Sequence, residues 1–443
     1  MIPRGIGRTN MIIHEHFDIN EKGHLTIGGA DTVELAERFG TPAYILDENV
    51  IRNNCRTYLK AACEHFSEDA LPLYASKALC FAGIYKIAAE EGMGVDCVSG
   101  GELYTARLAG FPAEKIYFHG NNKTDKDIKD AMNMGVGTFV VDNLDELDAL
   151  SREASARGVE QRILLRITPG IDPHTHRAVV TGNVDSKFGS AIVTGQAMEI
   201  VKTALTKKGI HLAGLHCHIG SQIFDIDPFT EAADIMIRFI ADIKSECSYE
   251  IEELNLGGGF GVRYTEDDPT IDYSSAIKNM ADIIKGYALA NSIKMPRIIL
   301  EPGRSLVAAS GLTLYTVGSV KEITGFKNYI SVDGGMPDNP RYALYQSRYT
   351  ALVANRAAER ADYKATVAGR CCESGDLLGE DMLLQKPKRG DTLAVLVTGA
   401  YNYSMASNYN RLPRPPVIMV KDGEARVAVK RETYEDITAN DVI

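Results

Sequence analysis

From Leu71 onward, short apolar runs alternate with amphipathic stretches. The runs are LPLYA from Leu71, GVDCVS from Gly94, KIYFHG from Lys115, TFVVDN from Thr138, RILLRIT from Arg162, LAGLHCHIG from Leu212, ELNLGGG from Glu253 and RIILEPG from Arg297. Between several of them the apolar residues fall near helical spacing, as in DELDALSREASARG from Asp145, which ends on a glycine able to serve as C-cap. Strands that alternate with helices need right-handed crossovers and a parallel sheet. Eight of them predict a closed (β/α)8 TIM barrel, with a doubly wound open sheet as the alternative.

After Ser310 the texture changes to β-branched runs such as LTLYTVGSVKEI, NYISVDGG, TLAVLVTGAY and PVIMVKDGEARVAV, punctuated by Gly, Asp and Pro. These signals describe an antiparallel β domain. The first forty residues, with HLTIGG as strand and turn, read the same way and are expected to join its sheets; a helical pattern starts near Asp31. The expected division is therefore 1–43, N-terminal strands joining the β domain; 44–309, the α/β barrel; and 310–443, the C-terminal β domain.

A chain of 443 residues exceeds one ordinary core, which agrees with a barrel plus an addition. With 59 acidic against 48 basic residues the formal charge is -11, which repels a polyanion and argues against nucleic acid as partner. No apolar run is long enough to span a bilayer, and the opening MIPRGIGRTNMIIHEHF lacks the apolar core of a secretory signal, so cytoplasmic residence is expected. The eight cysteines show no Cys-x-x-Cys spacing, and most read as small buried apolar residues.

In a barrel of this kind working residues sit at the C-terminal ends of the strands. That rule gathers Lys77, His216 and His218, the glycines of NLGGGFG, and Glu301 with Arg304 into one pocket. Lys77 reads either as a surface-loop lysine or as an amine in a desolvated pocket, able to form a Schiff base. The glycines from Gly257 to Gly261 would let backbone amides approach a phosphate, with Ser221 adding a hydroxyl, or they are only turns. His216 and His218, two apart on strand six, could ligate a metal. No carboxylate-rich partner set stands beside them, so no metal is expected, and a flat imidazole can instead stack on a heteroaromatic ring. Glu301 is either a salt-bridge partner of Arg304 or a carboxylate that keeps a pyridine nitrogen protonated. Lysine, phosphate cradle, stacking ring and carboxylate together describe a site for pyridoxal 5'-phosphate.

The pieces YASKA around Lys77, HCHIGSQ from His216, LGGGFG from Leu256, EPGRS from Glu301, VDGGMPDNPRYALYQ from Val332, CCESGD from Cys371 and GAYNYSMASNYN from Gly399 run through almost the whole chain in order. In them the sequence resembles the fold-type III pyridoxal-phosphate decarboxylases. The resemblance implies an alanine racemase-like barrel with a β domain, working as a homodimer with shared active sites. By the same resemblance Lys77 is the Schiff-base lysine, His218 the ring-stacking residue and Glu301 the partner of the pyridine nitrogen. Ser221, Gly258, Gly259, Gly303, Arg304 and Tyr401 match cofactor contacts. Arg304, Arg341, Tyr345 and Glu373, with Tyr401, fall where the family holds the substrate, and Cys372 matches a proton donor from the neighbouring subunit. Asn339 and Tyr342 flank Arg341 where many relatives carry an Arg-Pro pair, which leaves the arginine and Tyr345 in place.

Loss of carbon dioxide leaves a carbanion that needs an acid, and a thiol with a pKa of about 8.5 suits Cys372 for that proton. A substrate whose far end is itself an amino acid needs both charge signs there, and Arg304 or Arg341 with Glu373 supply them. The activity implied is decarboxylation at the D-centre of meso-2,6-diaminopimelate to L-lysine, the last step of lysine biosynthesis. Decarboxylation of arginine or carboxynorspermidine, a racemase, and a catalytically silent relative are the competing readings. Lys187 is the rival lysine, and the stretch 168–189 is expected to be a lid or dimer loop.

Overall fold

The structure, a computed structural model, describes residues 12–171 and 185–442. They divide into two compact units: one of residues up to Asn53, Val262–Pro269 and residues from Leu306 onward, the other of Asn54–Gly261 and Thr270–Ser305.

The second unit is the predicted barrel. Its strands are β1 (Leu71–Ala75), β2 (Gly94–Cys97), β3 (Ile116–Phe118), β4 (Thr138–Val141), β5 (Gln161–Thr168), β6 (Ile210–His216), β7 (Glu253–Asn255) and β8 (Arg297–Leu300). Each coincides with one of the apolar runs. Neighbours pair in parallel, and β8 pairs with β1 through Ile299 opposite Leu71 and Leu300 opposite Pro72, which closes the ring and excludes the open sheet. A ninth short strand, Ser190–Ala191, adds to β5.

Both faces of these strands are covered, so the sequence shows continuous apolar runs instead of alternation. All five residues of β1 are buried. Leu71, Leu73, Tyr117, Val140, Leu164, Ala213 and Ile299 form one cluster drawn from six strands, so side chains fill the barrel interior. Each fully buried large apolar side chain there contributes about 1.5–3 kcal/mol. The helix Leu144–Arg157 is bounded as its sequence suggests. The Asn143 side chain accepts from the Glu146 N–H at one end, and Gly158 takes the left-handed conformation at the other.

In the first unit, Phe17–Ile19, Leu25–Ile27 and Ala30–Asp31 make a small antiparallel sheet of their own. The strand that enters the large sheet is instead Ala43–Asp47. It runs antiparallel to β9 (Gly311–Ile323) and parallel to the strand Val417–Lys421. The rest of that sheet is mostly antiparallel. Among the described residues no helix is long and apolar enough to cross a membrane.

Candidate active site

Glu301 follows β8 and is buried among polar groups carried by neighbouring strands. The Asn255 amide at the end of β7 donates to its Oε1 at 2.7 Å, and His216 at the end of β6 lies 3.1 Å from its Oε2. His119, just past β3, brings Nε2 to 2.7 Å from Oε1. Burial alone would push this carboxyl up, but His119 and His216 beside it hold it well below the usual carboxylate range. An ionised carboxylate only accepts, so His216 Nε2 carries the hydrogen. Burial pushes the His216 imidazole down to about 3, against the pull of Glu301, so it is a neutral donor near pH 7.

The βα loops after β6, β7 and β8 interlock beside Glu301. Gly257 has φ of 67° and Gly259 of 115°, conformations that side chains resist. A Cβ on Gly258 would lie 2.0 Å from the Glu301 carbonyl oxygen, and one on Gly259 would lie 2.5 Å from that of Gly220. The glycines are therefore required first by loop-on-loop packing, a reason the sequence reading did not offer. Gly303 packs in the same way against Ala75 at the end of β1. The N–H of Gly257 goes to Asn255 and that of Gly261 to Ile223, whereas those of Gly259 and Phe260 have no acceptor among the described residues. Alongside, the buried Arg304 guanidinium donates to Ser221 Oγ at 3.1 and 3.3 Å. Amides, a hydroxyl and a guanidinium at one place suit a phosphate group.

His218 is not within strand six as expected. The ladder stops because β7 ends at Asn255 and its chain turns at Gly257, so His216 closes β6 and His218 lies in the loop beyond. There its Nδ1 accepts from the Gly258 N–H at 3.3 Å. Burial lowers its pKa, and Lys77 and Arg166 lower it further, leaving a neutral ring.

Lys77 occupies the 3-10 turn Ser76–Ala78 after β1. Its side chain is 43% exposed, which corrects the expectation of a desolvated amine, because the turn stands at the open end of the barrel strand. Nζ lies 4.0 Å from Oδ2 of the buried Asp96, whose Oδ1 is 3.8 Å from His119 Nε2. Contacts thus run from Lys77 through Asp96 and His119 to Glu301. Lys187 instead lies over the Phe188 ring at 4.9 Å. The proposed lid or dimer loop falls largely on 172–184, outside the described residues.

Asp96, His119, Arg166 and Asn255 were missed as site residues, although each lies in or ends a run already read as a strand. A polar residue inside a doubly covered strand is the signal that finds them.

The remaining expected residues belong to the other unit and form two groups. Arg341 is buried, with its guanidinium 5.2 Å from the Tyr345 ring and 5.4 Å from the Tyr401 ring. Cys372 is exposed, and its N–H donates to Asn410 at 2.8 Å. Next to it Glu373 accepts from the Tyr409 hydroxyl at 3.2 Å. The two turns that carry these groups are joined by Asp376, which accepts from the N–H groups of Met336 at 2.6 Å and Cys371 at 2.7 Å.

The ligand atoms of His119, His216 and Glu301 lie within 4.8 Å of one another, a spacing a metal ion could use. Glu301 already accepts from Asn255, and His216 turns a hydrogen-bearing nitrogen toward it, so the set is arranged to hold a carboxylate. Such a carboxylate fits a protonated ring nitrogen.

A family model described as pyridoxal-dependent decarboxylase, pyridoxal binding domain, matches residues 50–308. The diaminopimelate decarboxylase of Bacillus methanolicus is 48% identical over 422 residues, 95% of this chain and 98% of its own. That of Bacillus subtilis strain 168 is 47% identical over 432 residues, 98% of each chain. The crystal structure of diaminopimelate decarboxylase from M. jannaschii in co-complex with L-lysine matches with a TM-score of 0.88 at 37% identity, over 97% of this chain and 98% of that one. The chain therefore belongs to the pyridoxal-dependent decarboxylases and, among them, to the diaminopimelate decarboxylase family.

Proposed function

We propose that this chain, with pyridoxal 5'-phosphate as cofactor, removes carbon dioxide from meso-2,6-diaminopimelate and releases L-lysine. The observation that carries the reading is the near-half identity, over almost the full length, to enzymes named for that substrate. The buried, ionised Glu301 beside a phosphate-suited set of amides, Ser221 and Arg304 supports the cofactor.

When bound, pyridoxal 5'-phosphate supplies a protonated ring that takes up the electron pair left by the departing carbon dioxide. Lys77 would supply the amine for its aldehyde. Ser221, Gly258, Gly259, Gly303, Arg304 and Tyr401 would hold it, His218 would offer it a flat neutral imidazole, and Glu301 would keep its ring nitrogen protonated. Arg341, Tyr345 and Tyr401 with Arg304 take the far carboxylate of the substrate, and Glu373 takes the far amine. Cys372 then delivers a proton to the carbon that lost carbon dioxide. In this reading Cys372 serves the site of a second copy, so the working form is a homodimer, located in the cytoplasm.

The test is carbon dioxide release by purified, cofactor-loaded protein from meso-diaminopimelate, arginine, ornithine and lysine. Turnover of diaminopimelate to lysine is expected; turnover of arginine with none of diaminopimelate overturns the reading. Lys77→Ala is expected to lose covalent cofactor, seen as loss of the visible absorbance that resists dialysis, while Lys187→Ala retains it.

A further inference from the structure

Asp96 and Glu301 are two carboxylates buried in one barrel end, and His119 contacts both. Its Nε2 is 2.7 Å from Glu301 Oε1 and 3.8 Å from Asp96 Oδ1. Its ring stands edge-on to His216, centroids 4.8 Å apart at 74°, so the two histidines grip Glu301 from different directions. Neither His119 Nε2 nor Asp96 Oδ1 has an aligned hydrogen bond among the described residues. A histidine kept only for stability would be expected to satisfy that nitrogen, because leaving buried polar atoms unpaired is costly. Asp96 also lies 4.0 Å from Lys77 Nζ, which links the lysine end of the site to the glutamate end.

We propose that His119, whose Nε2 lies between Glu301 and Asp96, is a positioning residue for Glu301: it holds the carboxylate in the orientation that pairing with the cofactor ring nitrogen requires. The proposal rests on the reading of Glu301 given above.

The experiment is a double-variant cycle on the full-length protein. Wild type, His119→Asn, Glu301→Gln and the double variant are dialysed against pyridoxal 5'-phosphate to obtain its dissociation constant, and kcat and KM are measured with meso-diaminopimelate. His119→Asn is expected to weaken cofactor binding and lower kcat roughly ten- to a hundredfold, with KM changed by less than about twofold. Adding it to Glu301→Gln is expected to cost little more, because the group it positions is already gone. Full multiplication of the two effects, or wild-type behaviour of His119→Asn, overturns the proposal. Wild-type behaviour of Glu301→Gln alone sinks the reading of Glu301 itself, and this inference with it. Should His119→Asn fail to fold, His119→Gln, whose longer amide reaches the place of Nε2, takes its place in the cycle with the same expectations at smaller amplitude.

Discussion

A carboxylate stays ionised out of water only where donors replace its hydration, and Glu301 has them from the ends of β6 and β7, with the His119 ring past β3 close by. Asn255 does double service, since its Oδ1 also accepts from the Gly257 N–H at 2.9 Å. Asn255→Leu, close in size but without either group, should lower unfolding stability by about 2–4 kcal/mol and weaken cofactor binding together. Chemical denaturation of the cofactor-free protein and dialysis of the loaded protein measure the two losses. Lys77 and Glu301 were legible because each sits where an apolar run hands over to polar residues. His119 and Asp96 were not singled out: each is the polar residue of a run that otherwise reads as plain strand, and no residue near them in sequence announces the partner that the barrel supplies.

Among elements, the turn after β7 has no room for a side chain. A methyl group on Gly258 has no space between the loop and the Glu301 carbonyl, so Gly258→Ala must displace the strand-end backbone. A cost of about 2–4 kcal/mol and loss of cofactor retention are expected, readable by thermal melts with and without cofactor. The turn before the short helix Arg341–Tyr345 carries a pH dependence. Asp338 there accepts from the Tyr315 hydroxyl and the Gly335 N–H, yet burial pushes its carboxyl up to about 7. The native state then keeps a proton that the unfolded chain releases at about pH 4, so this group's contribution to stability is present at low pH and declines as pH rises toward 7. Asp338→Asn should remove that decline. Relative to the parent, its urea midpoint should improve between pH 5 and pH 8, by the equivalent of about 2 to 4 kcal/mol. An unchanged difference across that range would mean Asp338 is already charged. The strands of the barrel could be read as runs because they are covered on both faces. Where His218 leaves its strand could not, since it depends on β7 ending at Asn255, opposite His216 and two residues short of His218.

For the chain as a whole, the decisive element is Ala43–Asp47, which pairs on one side with β9 and on the other with Val417–Lys421. A fragment of residues 310–443 therefore carries two raw ladder edges where this strand belongs, and should neither melt cooperatively nor stay monomeric, as circular dichroism and gel filtration would show. Supplying residues 12–53 as a separate peptide should restore a cooperative transition. The existence of a β region after Ser310 was plain from turn residues and β-branching. Its strand order was not, because pairings between residues some 370 positions apart leave no local trace.

That one strand also dictates an order of events at the ribosome. Its two neighbours emerge long after it does, and everything the barrel needs has been made by Ser305. The cofactor-binding half can therefore be finished while the segment that precedes it still waits, solvated and unpaired, for Val417–Lys421 to be made. A nascent chain halted once Ser305 has cleared the ribosome would carry a closed barrel and a dangling leader.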